Sequence, residues 1–134
     1  MTGIVRLNHV SLLVEDTQRA LTFYHGTLGL PVCHDRPDLG FPGAWLELGM
    51  QQQIHLLELP SADKGHRQPA HGGRDRHVAL DVSDLDALIS ALDNAGVAYT
   101  LSRSGRRALF CRDPDGNAIE LVERPDNAAA NGPW

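Results

Sequence analysis

Several kinds of protein are excluded by what this chain has little of. It holds only two cysteines, Cys33 and Cys111, too few for a disulfide framework. Both sit in strand-like segments and read as buried thiols. No apolar run approaches the ~18 residues that a membrane-crossing helix needs, and the opening MTGIVRLNHV lacks a charged-then-apolar leader. A cytoplasmic protein without a membrane partner is expected. The basic residues form no stripe and the formal net charge is −5, so nucleic-acid binding has no electrostatic support. With 42% hydrophobic and 22% charged residues in 134, the composition is that of one compact folded domain or two small packed modules.

An internal repeat is present. Residues 8–16 read NHVSLLVED and 76–84 read RHVALDVSD, which places His9 over His77 and Asp16 over Asp84. Farther on, IHLLE at 54–58 matches IELVE at 119–123, placing His55 over Glu120. The first pair lies 68 residues apart and the second 65, so a unit of about 60 residues is duplicated in tandem.

Each copy has the same internal order. An alternating run comes first (Val5 to Val14; Arg76 to Val82) and reads as a strand. A helix follows, with Leu21, Tyr24 and Leu28 as the apolar stripe of the first copy, after Asp16–Thr17 at its start. Leu85, Leu88, Ile89 and Leu92 form the stripe of the second, capped by Ser83 or Asp84, and Gly29 and Gly96 stand where left-handed C-caps belong. Three short strands close each copy: Leu30–His34, Ala44–Leu48 and Gln53–Leu59, then Ala98–Leu101, Arg107–Cys111 and Asn117–Val122. Asp113-Pro114-Asp115-Gly116 marks a tight turn between the last two. The expected fold class is α+β, with tandem βαβββ modules (about 4–59 and 75–124, linker 60–74) forming a curved mixed sheet around a metal-binding cleft.

Strand alternation sorts the side chains. His9 opposes Val10, Leu12 and Val14; His55 opposes Ile54 and Leu56; His77 opposes Val78, Leu80 and Val82; Glu120 opposes Ile119 and Leu121. If the aliphatic faces lie under the helices, these four residues share the other face. Interior polar groups without partners cost roughly 2–7 kcal/mol each, so four at equivalent positions of a repeat point to a shared ion. Imidazoles plus a carboxylate suit Zn, Ni, Fe, Co or Mn rather than Ca. His25, His34, His66 and His71 lack this phasing and read as surface or loop residues.

The segments LNHVSLLVEDTQRALTFYHGTLGL, GAWLELG, RHVALDV and FCRDPDGNAIELVE carry a resemblance to the vicinal oxygen chelate superfamily over about residues 5–124. That group includes glyoxalase I, methylmalonyl-CoA epimerase, fosfomycin-resistance thiol transferases, extradiol dioxygenases and bleomycin-binding proteins. By position, the resemblance implies metal ligands at His9, His77 and Glu120, with the fourth family position at His55. Bacterial glyoxalase I-like enzymes usually carry Glu there and the epimerase Gln, so this chain departs from the pattern. The resemblance implies one divalent transition metal per site (Ni, Zn, Fe, Mn or Co), a small-molecule substrate and a homodimer.

The activity it implies first is a glyoxalase I-like isomerase or lyase working through a metal-bound enediolate, with Glu120 as the base or His55 as the acid/base. An antibiotic-modifying thiol transferase or drug-binding resistance protein is the alternative, and an Fe(II) ring-cleavage dioxygenase the second. Arg103 and Arg107, in SRSGRR, either hold a carboxylate or phosphonate of the substrate or form a solvated basic hairpin. Trp45 either lines the cleft or packs in the core.

Overall fold

The computed structural model describes residues 3–63 and 68–124. The chain divides into two compact units, residues 1–64 and 65–134. The first runs β1 (His9–Val14), α1 (Thr17–Leu21) continued by a π-helical stretch (Thr22–Thr27), β2 (Val32–Cys33), β3 (Gly43–Glu47) and β4 (Gln53–Glu58). The second runs through a 3-10 turn (Gly72–Arg74) to β5 (His77–Val82), α2 (Leu85–Asn94), β6 (Tyr99–Leu101), β7 (Ala108–Arg112) and β8 (Ala118–Glu123). Each unit is therefore βαβββ, and its four strands form one mixed sheet. The orders are β1-β4-β3-β2 and β5-β8-β7-β6, with the first pair of each sheet parallel and the others antiparallel. No helix among the described residues is long and apolar enough to cross a membrane.

The repeated sequence signals act locally. Asp16 accepts from the N–H groups of Gln18 (2.9 Å) and Arg19 (3.2 Å), and Asp84 accepts from Ala87 (3.0 Å), each satisfying helix donors that would otherwise lack partners. The last Glu of each repeat has the same duty at the same helix end. Glu58 accepts from the N–H and hydroxyl of Thr17 at 2.8 and 3.0 Å, and Glu123 accepts from the N–H of Leu85 at 2.9 Å. These carboxylates pin the end of a strand to the positive end of its helix. Gly29 (φ +77°) and Gly96 (φ +69°) follow the helices in the left-handed region.

The aliphatic faces form the cores. Ile54 and Leu56 are fully buried with Ala20, Phe23, Tyr24 and Leu46, and Ile119 and Leu121 with Leu85, Leu92 and Leu109. Each such side chain contributes about 1.5–3 kcal/mol by leaving water, which is what fixes strand register face by face.

Most strand ends lie within one residue of those expected, and three features differ more. Val5–Asn8 lie outside β1, because its partner β4 begins at Gln53 opposite His9 and offers nothing to pair with earlier residues. β2 is limited to Val32–Cys33, the two residues that β3 meets. The buried stripe of the first helix is Thr17, Ala20, Phe23 and Tyr24, while Leu21 and Leu28 are half-buried. Capping by Asp16 sets the phase, and the π-helical winding after Leu21 shifts it.

Candidate functional site

The register of each sheet decides which side chains meet on the face away from the helix. In the first unit His9 pairs with Gln53, Ser11 with His55, and Trp45 with His55. His9 and His55 are thus diagonal neighbours, and their rings stack at 3.9 Å between centroids and 15° between planes. Trp45 stacks on His55 at 4.3 Å and 7°, so it belongs to this face and not to the aliphatic core. The His9 Nδ1 lies 2.7 Å from the Asn8 side-chain oxygen; since an amide oxygen only accepts, Nδ1 carries the proton and Nε2 has its lone pair open.

His55 is arranged the other way. Its Nε2 donates to Gln53 Oε1 at 2.8 Å, and that amide is oriented by donating from Nε2 to Glu47 Oε1 at 3.1 Å. The free lone pair of His55 is therefore on Nδ1. Burial first, then the charges of His9 and Arg36, lowers the His55 pKa below that of ordinary imidazole, which keeps the ring neutral at neutral pH. Arg36 is held by donating to the carbonyl of Phe41 (2.9 Å), and a Cβ at Gly43 would come within 2.9 Å of its Nη2.

The second unit places its pair by the same diagonal. His77 faces Ala118, while Glu120 faces Ala79 on one side and Phe110 on the other. Glu120 is only 4% exposed. Its Oε1 lies 3.3 Å from His77 Nε2 and its Oε2 3.4 Å from a nitrogen of Arg106. His77 Nδ1 donates to the backbone oxygen of Asp75 at 2.8 Å, leaving Nε2 turned toward the carboxylate. The Phe110 ring meets His77 edge-on at 5.3 Å and 87°.

Asp75 is itself braced. Arg112 donates to its carboxylate at 2.8 Å, which holds that carboxyl below the usual range, and also to the carbonyls of Gly116 and Pro69 at 2.7 Å each. The support of His77 thus extends through Asp75 to the turn after β7. Within that turn Asp113, 4% exposed, accepts from the N–H groups of Asp115 and Asn117, and Gly116 takes φ +86°.

These donors fit a divalent transition metal in chemistry. His9 and His77 each have Nδ1 engaged by an oxygen acceptor and Nε2 open, the arrangement that orients a metal-binding imidazole. Glu120 supplies a buried carboxylate beside one of them, and two lone-pair bearers 3.3 Å apart repel unless a proton or cation lies between. Among the described residues, no group of three or more His, Cys, Asp or Glu is gathered within reach of one ion. Each unit brings two of the four.

Other expected residues have different places. Arg107 donates to Glu123 at 2.8 Å and Asp86 at 2.9 Å, so its guanidinium is committed at the helix end of its sheet. Arg103 is exposed and lines an open cleft of about 430 Å³ with Arg74, His71 and Phe110. His71 caps the 3-10 turn by accepting from Gly73 N–H at 3.0 Å, and its ring lies 5.0 Å from that of Phe110. His25 Nδ1 donates to the carbonyl of Leu30 at 2.7 Å, His34 is exposed, and His66 lies outside the described residues.

Gln53, Asp75 and Phe110 were not anticipated, and Arg106, expected only as part of the SRSGRR run, lies against Glu120. Gln53 had a signal, standing two residues before His55 on the same strand face, and Phe110 is the repeat counterpart of Trp45, each facing its unit's key residue.

The chain is 33% identical over 119 residues to glutathione transferase FosA of Serratia marcescens, covering 86% of this chain and 78% of that one. It is 31% identical over 123 residues to glyoxylase I 4 of Arabidopsis thaliana, covering 88% and 70%. A member of the glyoxalase/bleomycin resistance protein/dioxygenase superfamily from Sphaerobacter thermophilus superposes with a TM-score of 0.66 at 31% identity, over 90% of this chain and 98% of that one. The superfamily profile itself matches residues 6–121. By that match and by its paired βαβββ units, the chain belongs to the glyoxalase/bleomycin resistance protein/dioxygenase superfamily, the vicinal oxygen chelate fold.

Proposed function

We propose that this protein is a divalent-metal-dependent enzyme of glyoxalase I type, in which His9, His55, His77 and Glu120 serve one cation. The observation that carries the reading is the buried Glu120 carboxylate facing the open Nε2 of His77 at 3.3 Å, with His9 and His55 at the matching positions of the first unit. Identities of 31% to glyoxylase I 4 and 29% to a lactoylglutathione lyase of Escherichia coli support the reaction class.

A cation there would supply Lewis-acid polarisation of a substrate oxygen. The residues of the chain supply the rest. Glu120 takes a proton from the carbon next to that oxygen and returns it to the neighbouring carbon, a task suited to a carboxylate already buried away from water. Arg106 steadies the second oxygen of Glu120. Neutral His55 acts through Nδ1, as ligand or proton carrier, because Gln53 occupies its Nε2. Trp45 stacks on His55 and Phe110 meets His77 edge-on, so each pair has an aromatic neighbour.

The first test is elemental analysis of the protein purified without added metal, repeated on Glu120→Ala and His77→Ala. About one transition-metal ion per site is expected in the wild type and a large loss in both variants. Nickel or zinc, with turnover of the glutathione adduct of a 2-oxoaldehyde, supports this reading. Manganese with glutathione transfer to fosfomycin supports the thiol-transferase alternative favoured by the 33% identity to FosA, and iron with O₂ uptake the dioxygenase one. A wild type that loads with none of these ions overturns the metal site.

We propose further that the chain works as a homodimer. Ile4, Val5 and Leu7 are 83%, 90% and 63% exposed beside edge strand β1, and apolar surface of that kind is stabilised by a second copy.

A further inference from the structure

We propose that Arg112 is a positioning residue for His77, acting through the stretch 68–75 to keep the imidazole proton on Nδ1 and leave Nε2 free. That this Nε2 then meets a cation rests on the reading above; the hold on the ring does not.

The register sets the parts in one row. Across the second sheet Arg112 pairs with Ala118 and Ala118 with His77, so the three side chains share the face that carries Glu120. Ala118, in the middle, is short and buried, so nothing bulky stands between the other two. The stretch 68–75 lies close on that face. A Cβ at Gly72 would meet the Cβ atoms of Phe110 and Ala118 at 3.3 and 3.4 Å.

One guanidinium ties this stretch down at both ends. Arg112 Nη1 donates to Asp75 Oδ2 at 2.8 Å and to the carbonyl of Gly116 at 2.7 Å, while Nη2 donates to the carbonyl of Pro69 at 2.7 Å. Gln68 adds a bond to the Gly116 carbonyl at 3.0 Å. The Arg112 and Asp75 side chains are only 23% and 17% exposed, and a charge-assisted bond withdrawn from water is stronger than one at the open surface. The other carboxylate oxygen of Asp75 accepts from the N–H of Arg76 at 2.9 Å, so Asp75 is held from two sides.

The consequence falls on His77. Its Nδ1 lies 2.8 Å from the backbone oxygen of Asp75, an atom that only accepts, and this keeps the proton on Nδ1. The competing tautomer carries its proton on Nε2 and donates it to Glu120 Oε1, 3.3 Å away, closing the two groups on each other. Which tautomer prevails depends on where the Asp75 carbonyl is held, and Arg112 holds it.

The experiment is a proton–nitrogen NMR correlation of the histidine rings in isotope-labelled, EDTA-treated protein at about pH 9, where ordinary imidazole is neutral. His77 is assigned by the signals lost in His77→Gln. Wild type should show His77 protonated on Nδ1. Arg112→Ala and Asp75→Ala should move the proton toward Nε2 and weaken zinc binding, measured by competition with a chromogenic chelator, by about 10- to 100-fold. Arg112→Lys, which keeps a cation opposite Asp75, should recover part of both. Ile119→Val loosens the core side of the same sheet and touches none of these bonds, so it should change neither. Asp75→Ala carries the test by itself if Arg112→Ala does not fold. An unmoved proton in the folded variants, or an equal shift in Ile119→Val, overturns the assignment. If zinc binds and the proton does not move, only this inference falls. If the proton moves as expected and wild type takes up no metal, the proposed reaction falls and the role of Arg112 at His77 stands.

Discussion

Burial gives Cys111 and Cys33 different chemistry. Cys111 sits in β7 on the core face, and loss of water pushes its thiol up to about 12, with Asp113 adding to the shift. Thiolate is the reactive form, so this side chain is inert at ordinary pH. Cys33, in β2, is only half-buried, so reagent can reach it. Iodoacetamide at pH 8 should therefore modify Cys33 in the native protein and reach Cys111 only after denaturation, as read by peptide mass spectrometry. Native labelling of Cys111 at a comparable rate would contradict the packing of that strand. The same residue-by-residue reasoning separates the arginines of SRSGRR. Arg103 lines the open cleft, Arg106 holds Glu120 and Arg107 is bound at the helix end, although the sequence presents them as one basic run.

The two β-turns that join the last strands of each unit differ in quality. In the second, Asp113 and Gly116 supply the side-chain acceptor and the left-handed glycine that the turn requires. In the first, Gly49 to Gln52 closes with a backbone bond of 3.3 Å, while Met50 (φ +59°) and Gln51 (φ +63°) both occupy the left-handed region. That is the pattern of a type I′ turn, for which Asn-Gly is the favoured pair. Met50 is 88% exposed, so replacing it removes no core contact. Met50→Asn with Gln51→Gly should stabilise the protein by on the order of 1 kcal/mol, seen as a higher Tm and a higher urea midpoint. No change, or a loss, would mean that this turn is not strained.

At the scale of the whole molecule, each unit is a small module whose sheet has β1 or β5 as an edge. Exposed edges and exposed apolar residues are a liability unless another surface covers them. Light scattering should give twice the 14.6 kDa chain mass, and Val5→Asp with Leu7→Asp should shift the equilibrium toward monomer. A wild type that is monomeric at micromolar concentration would remove the dimer from the proposal. The tandem repeat gives this scale its other feature. Substitution of His77 or Glu120 alters one unit only, so metal loss in those variants would show that the His9–His55 pair alone is insufficient.

The sequence by itself determined what depends on neighbours along the chain. Strand alternation put His9, His55, His77 and Glu120 opposite the aliphatic residues, and that phase is intrinsic to an extended backbone. The caps at Asp16 and Asp84 and the glycines at 29 and 96 were legible because helix ends need acceptors and left-handed turns within a few residues. The tertiary structure decided what depends on register between strands and on competition for partners. It gave His55 to Gln53 and Trp45, paired Arg107 with Glu123 rather than leaving it to a ligand, and started β1 only where its partner starts. It also brought Arg74, from the stretch read as linker, to the same cleft as Arg103. Those choices rest on which groups lie within 3 to 4 Å across separate segments, and no local pattern encodes that distance.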